Sequence, residues 1–284
     1  MTNYIVTDSE LTGVADVIRS KRGTSAKLSF PEEWKTAINA ISSDGSSGGS
    51  YVPMEPYIEE KYDSNGNLTD FTLHGYQKLR AYLFYEQSFL TNPSLPESLT
   101  SIGASAFTEC TSLALTSLPK SLTSIGASAF ARCTNLALTS LPDSLTSINY
   151  ETFNNCTSLA LTSLPESLKS IGAYAFAGCT SLALTSLPEG LTSIDVYAFR
   201  NCTSLALTSL PKNLTSIGAS AFSYCTSLTS ITFKGTPTNI NSSAFYGCTK
   251  LIEIKVPWAD GAVANAPWGA TNATITYNYT GEGE

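Results

Sequence analysis

This chain writes one sentence over and over. The stretch Leu99-Thr-Ser-Ile-Gly-Ala-Ser-Ala-Phe-Thr-Glu-Cys-Thr-Ser-Leu-Ala-Leu-Thr-Ser-Leu-Pro119 returns from Leu122, from Leu145 and onward. Cysteines stand at Cys110, Cys133, Cys156, Cys179, Cys202, Cys225 and Cys248, each 23 residues after the last. Phe107 to Phe245, Ile102 to Ile240 and Leu113 to Leu251 form columns with the same step. A fixed period of this length means stacked units. One unit cannot bury its own apolar side, whereas stacked units share a continuous core.

The period and the leucine content predict a leucine-rich-repeat solenoid, β-rich, with short strands and one helical turn per unit. Ala106, Phe107 and Cys110 lie three and four apart, the spacing of one face of a helical turn. Leu122-Thr123-Ser124-Ile125 alternates like a half-buried strand. Leu113 to Leu118 is strand-like, but its apolar spacing breaks alternation in the middle copies and predicts a bulge or a shortened strand. A degenerate first unit (Leu79, Phe84, Leu90, Leu95, Pro96) carries Gln87 in the cysteine slot. That makes eight turns over residues 79–257, a rod of about 40 Å at the usual strand spacing.

The pattern Ile-Gly-x-x-Ala-Phe-x-x-Cys-x-x-Leu, followed by a strand and Pro, resembles the BspA-type leucine-rich repeat of bacterial cell-surface proteins. The resemblance implies a right-handed solenoid and a binding role that varies among members. Tyr4-Ile5-Val6-Thr7 to Ile41, and Ala266-Pro267-Trp268-Gly269-Ala270, resemble segments around such repeats in tail-associated proteins of phages and prophages of gut Firmicutes.

A cysteine column of this kind has three possible uses. Neighbouring rungs point their Cβ atoms in parallel, which keeps the sulfurs a rung apart, and an odd count leaves one unpaired. A metal site needs ligands converging on one point, and a parallel column offers at most two. The expectation is therefore a structural core cysteine in every unit, a small buried plug beside its phenylalanine.

Outside the repeats, Thr7-Asp8-Ser9-Glu10 fits a capping box, and Pro31 opens a second helical pattern. Residues 1–41 are read as a two-helix attachment or oligomerisation element. Its apolar stripes would meet a second copy of the chain, other virion proteins, or the solenoid itself. Residues 42–50 read as a flexible Ser/Gly linker and 51–78 as a β-hairpin cap turning at Asn65-Gly66. Residues 258–284 read as a C-terminal cap and tail, with Trp258 and Trp268 closing the core.

Chemistry is sparse. His74 is the one histidine, with no nucleophile motif nearby, and no phosphate-cradling loop appears. The charge after the repeat proline changes sign between Glu97, Lys120, Asp143, Glu166, Glu189 and Lys212, as on a solvated edge. The expectation is no enzyme, no cofactor and no metal. A net charge of −7 without basic runs argues against nucleic acid and anionic membrane. No run of 18 apolar residues spans a bilayer, and the N-terminus does not read as a secretion signal. The expected location is a virion, or the cell surface reached by another route.

The copies differ mainly in two outward pairs per unit. Among these positions are Arg132, Tyr150, Glu151, Asn154, Asn155, Tyr174, Tyr197, Arg200, Tyr224 and Tyr246. Tyrosine, arginine and asparagine are the residues of adaptable contact surfaces. These ten form the expected ligand-binding face for a bacterial surface glycan or protein. The reading is a receptor-binding protein of a phage tail; the alternatives are a bacterial adhesin or a spacer rod with no ligand.

Overall fold

A computed structural model describes residues 56–281. The two-helix element and the linker expected over 1–50 lie outside the described residues. A hairpin opens the fold: β1 (Tyr57–Tyr62) pairs antiparallel with β2 (Leu68–His74) around the Asn65-Gly66 turn. The coil follows. Its isoleucine column is a row of two-residue parallel strands, β3 (Lys78–Leu79), β4 (Ser101–Ile102), β5 (Ser124–Ile125), β6 (Ser147–Ile148), β7 (Ser170–Ile171), β8 (Ser193–Ile194), β10 (Ser216–Ile217) and β12 (Asn239–Ile240). A second column holds β9 (Ser209–Leu210), β11 (Ser230–Phe233), β13 (Glu253–Lys255) and β14 (Thr274–Thr276). With β2 bridging to Ser94 at one end and β14 added at the other, the chain forms a β-solenoid of about nine turns. The extra turn over the expected eight comes from these end strands.

The expected helical turn does not form, and no helix occurs among the described residues. In the unit from Gly103 to Cys110, the N–H groups of Ser105, Phe107 and Glu109 donate forward to the Ala127, Ala129 and Ala131 carbonyls of the next rung, at 2.8–2.9 Å. The intervening N–H groups of Ala106, Thr108 and Cys110 close tight turns onto Gly103, Ser105 and Phe107, at 3.1–3.4 Å. A helix would send each donor to a carbonyl four residues back and leave none for the neighbouring rung. The alternation requires a left-handed residue every fourth position, seen at Ser105 (φ 52°) and Glu109 (φ 62°) and at their equivalents down the coil. The apolar spacing of Ala106, Phe107 and Cys110 is the same in either conformation, which is why the sequence could not separate them.

The isoleucine column bonds in the opposite sense. Gly126 N–H donates back to Ile102 O at 2.8 Å, as do Gly172 to Ile148 and Gly218 to Ile194. A Cβ at Gly126 would stand 2.4 Å from Ala104 N, so the slot favours glycine. Asn149, Asp195 and Asn241 occupy it in three units. At Asn149 the side-chain amide donates to Ile125 O at 2.6 Å, and the column is interrupted between β5 and β6. Hydroxyls bond the flanks: Thr123, Thr192, Thr215 and Thr238 each donate to a carbonyl one rung back, at 2.9–3.1 Å. Part of the Ser/Thr content of the coil thus serves between-rung bonding.

In the middle copies, Leu113, Leu115 and Leu118 are all buried, two and then three residues apart. Ala114 bonds back 23 residues to Thr91, but Ala137 bonds back 22 to Leu115. This one-residue slip interrupts the ladder, and regular pairing starts only at β9. Thereafter Leu228, Ile231 and Phe233 point inward, three and then two apart.

One aromatic stack runs through the core. Phe71 of β2 lies on Phe84 at 4.0 Å, and rings 5.2–5.7 Å apart continue from Phe84 through Phe107, Phe130, Phe153, Phe176, Phe199 and Phe222 to Phe245. Phe233, Trp258 and Trp268 close the far end, and Phe245 N–H is taken by Trp268 O.

All seven cysteines are free thiols and buried. They are more than plugs. Each Sγ lies 2.9–3.1 Å from the carbonyl of the phenylalanine 26 residues earlier, Cys156 on Phe130 for example. That carbonyl already accepts an N–H of its own rung, from Gln87 at Phe84 and from a cysteine elsewhere, as Phe130 O does from Cys133. The thiol fills the second lone pair of a buried acceptor.

Two outcomes follow from this thiol column. Cys156→Ala should cost about 2 kcal/mol, a lost methyl-sized volume plus one buried hydrogen bond, and Cys156→Ser should cost less because it keeps the donor. Urea titrations of both variants check this. Burial pushes the Cys110 and Cys248 thiols up to about 12 and the interior thiols higher still. The neutral form is therefore the folded form, and its stability is complete below the ordinary thiol pKa. It is lost as pH rises above that value, by up to about 1.4 kcal/mol per pH unit for each thiol ionised only in the unfolded chain. Urea midpoints should fall steeply from pH 8 to pH 10, and less steeply in Cys-to-Ala variants.

Candidate functional site

The forward-bonding turns project two columns of left-handed residues along one side of the coil. The first holds Tyr82, Ser105, Ser128, Glu151, Tyr174, Tyr197 and Ser220. The second holds Glu86, Glu109, Arg132, Asn155, Gly178, Asn201, Tyr224 and Gly247. The variable pairs of the sequence fall on these turns, but not all their members face outward. Ala131, Ala177 and Ser223 are buried. In several pairs the free position is the second, left-handed member, as at Arg132 and Tyr224, whereas Tyr150 and Tyr246 are exposed first members.

The ten expected site residues separate into three groups along this face. Tyr150, 49% exposed, meets the half-buried Tyr174 edge-on at 6.1 Å. Tyr174 lies 4.8 Å from Tyr197, and the Arg200 guanidinium sits 5.3 Å from the Tyr197 ring. Glu151 accepts from Ser128 Oγ at 3.2 Å. The same carboxylate, hydrogen-bonded to Tyr150, holds that phenol above its ordinary pKa, so it stays a protonated donor. Arg132 belongs elsewhere. It pairs with Glu109 at 2.5 Å, and both line a shallow, open groove with Thr111, Thr134 and Asn155. Asn155 Nδ2 also donates to Asn154 Oδ1 at 2.6 Å. Tyr224 and Tyr246 form a third group, perpendicular at 5.5 Å.

Side chains on this face overlap from rung to rung. The Tyr224 ring covers Gly247, where a Cβ would stand 2.6 Å from its Cδ1. Asn155 covers Gly178 in the same way. Both glycines have positive φ, 74° and 76°.

Sequence reasoning missed one aromatic group. Tyr82 and Phe89, 64% and 53% exposed, and Tyr85 belong to the degenerate first unit. Tyr82 and Tyr85 stand one period before Ser105 and Thr108, in the first column and next to the second, and pack edge-on at 5.9 Å. The signal was present: the 23-residue step continues backward through Leu79 and Phe84 and carries the outward columns with it.

Other candidate chemistry stays structural. His74 stacks on Tyr57 at 4.2 Å, with Nε2 3.5 Å from a Glu59 carboxylate oxygen. Among the described residues, no group of three or more His, Cys, Asp and Glu could hold a metal ion. No helix there is long and apolar enough to cross a membrane.

The family model described as the BspA type leucine rich repeat region matches six copies, over residues 77–206 and 155–260. The chain belongs to this family. Similar solved structures include a leucine rich cell surface protein from Faecalibacterium prausnitzii, at 24% identity and a TM-score of 0.53, covering 74% of this chain and 71% of that one. A leucine rich repeat protein from T. pallidum matches at 27% identity and a TM-score of 0.46, covering 68% and 87%. One from Bacteroides ovatus matches at 21% and 0.46, covering 81% and 76%. The first supports the fold. No curated protein matches the chain.

Gly178→Ala tests the overlap. It places a Cβ in a left-handed residue and against Asn155, and should lower stability by about 1–2 kcal/mol. Asn155→Gly in the same background should restore part of that loss; paired thermal melts read both.

Proposed function

We propose that the protein is a non-enzymatic recognition protein that binds a bacterial surface glycan or protein through the turn face, and that it serves as a tail-associated receptor-binding protein of a phage. One observation carries the binding reading. Within the coil, every strongly exposed aromatic residue lies on or beside the turn columns: Tyr82, Tyr85, Phe89, Tyr150, Tyr224 and Tyr246. Neutral drift at exposed positions would scatter such residues over all sides. Clustered exposed aromatics interleaved with Arg, Asn and Glu make a contact surface, because each ring offers large area at little cost in side-chain entropy. The phage context draws on the flanking segments of the sequence.

A second reading, a bacterial surface adhesin, is favoured by the Faecalibacterium prausnitzii structure, which is named as a cell surface protein. Immunogold labelling with antibody against the solenoid separates the two, by marking either virion tails or intact bacterial envelopes.

The Tyr174→Ala, Tyr197→Ala, Arg200→Ala triple variant tests the face itself. Labelled protein should bind a panel of gut Firmicutes, and the triple variant should lose at least about tenfold in affinity, as removal of central aromatic and arginine anchors does. Its circular dichroism spectrum should be unchanged. Undiminished binding by the variant would refute the assignment.

A further inference from the structure

We propose that the turn face holds a linear β-1,4-linked glycan lying parallel to the rod axis, about one sugar ring per rung, and that Tyr82, Tyr85 and Phe89 are its second anchoring station. The inference rests on the recognition reading above and adds the ligand class, its direction and a site on the first rung.

The aromatic groups lie on one face: Tyr82, Tyr174 and Tyr197 in the first column, Tyr224 in the second, and Tyr85, Tyr150 and Tyr246 each next to a column member. Tyr82, Tyr85 and Phe89 stand at the first rung, Tyr150, Tyr174 and Tyr197 at the fourth to sixth, and Tyr224 and Tyr246 at the seventh and eighth. The open groove of Glu109, Thr111, Arg132, Thr134 and Asn155 fills the interval between the first two groups. A ligand touching all of them must be long and must run along the coil. Seven rung steps at the usual strand spacing span about 34 Å.

The repeat distance selects the polymer. The core phenylalanines step by 5.2–5.7 Å, and the outer rings of Tyr150, Tyr174 and Tyr197 by 6.1 and 4.8 Å. A pyranose chain joined through equatorial bonds is a flat, extended ribbon that advances by about 5 Å per sugar, close to the spacing of stacked strands. Its rings therefore stay in step with the rungs over several units. An axially linked chain coils away from a straight face of stacked rungs.

Charge and shape agree. Arg132 on this face is tied to Glu109, and Glu86, Glu151 and Arg200 complete a mixed-sign set, which suits a neutral polymer better than a polyanion. The groove is shallow and open, whereas protein partners seat their anchors in well-packed, desolvated pockets. Tyrosine hydroxyls, Asn154, Asn155, Glu151 and the threonines supply the donors and acceptors that sugar hydroxyls need.

Calorimetry with the full chain and two probe series, β-1,4-linked glucose and β-1,4-linked N-acetylglucosamine oligomers of two to eight sugars, tests this. In at least one series, affinity should rise about tenfold or more between four and eight sugars as the second station engages. The Tyr82→Ala, Phe89→Ala double variant alters two exposed residues, so the fold is kept. It should lose that gain on the octamer and match the wild type on the tetramer. The proposal falls if no oligomer of either series binds, if affinity stops rising at three sugars, or if the double variant binds the octamer as the wild type does. Loss of cell binding in the Tyr174, Tyr197 and Arg200 triple variant without any oligosaccharide binding would point to a protein partner. In that case the recognition face stands and the glycan is rejected. Full cell binding by the triple variant would remove the recognition face itself.

Discussion

Every rung is held by backbone groups that bond to a neighbouring rung rather than to their own. In the turns, alternate N–H groups reach forward; in the isoleucine strands they reach back. A two-residue strand has little cohesion of its own, and a run of left-handed residues is costly in isolation. Both persist because each is repeated in register, so an acceptor always waits one rung away. The same dependence explains the buried phenylalanine carbonyls. From Phe107 to Phe222 each faces two donors, a cysteine N–H from its own rung and a thiol from the next. Backbone and core are fastened by one repeated atom.

The period made the architecture legible. Fixed columns of Ile, Phe, Cys and Leu dictate stacking, and the buried residues of the structure are those columns. What stayed hidden were choices that the pattern does not distinguish. Ala106, Phe107 and Cys110 share a face in a helical turn and in an alternating-turn segment alike; only the hydrogen-bond direction differs, and sequence does not carry it. The slip in the Leu-Ala-Leu-Thr-Ser-Leu-Pro segments appeared as broken alternation, but its register depends on Ala137 finding Leu115 rather than Ala114. The cysteine was expected as filler because its volume is visible in the sequence and its acceptor is not.

The outward face was partly legible for a related reason. Differences among copies marked the turns, and five tyrosines stood out there. The marking was coarse, because neighbours in a variable pair have opposite fates: Arg132 is exposed and Ala131 is buried. Tyr82 and Tyr85 stand in the degenerate first unit, outside the cysteine-bearing copies whose differences mark the face.

The way Asn155 lies over Gly178, and Tyr224 over Gly247, bears on how such a chain can diversify. At these two places the bulky residue of the second column occupies the room above the next unit, so the two positions form one heritable couple. Exchange of a single unit there would separate a large residue from the small neighbour that accommodates it. These two pairs of units are therefore best exchanged as adjacent twos, whereas the steps from Glu109 through Arg132 to Asn155 carry large residues side by side and are free of that coupling.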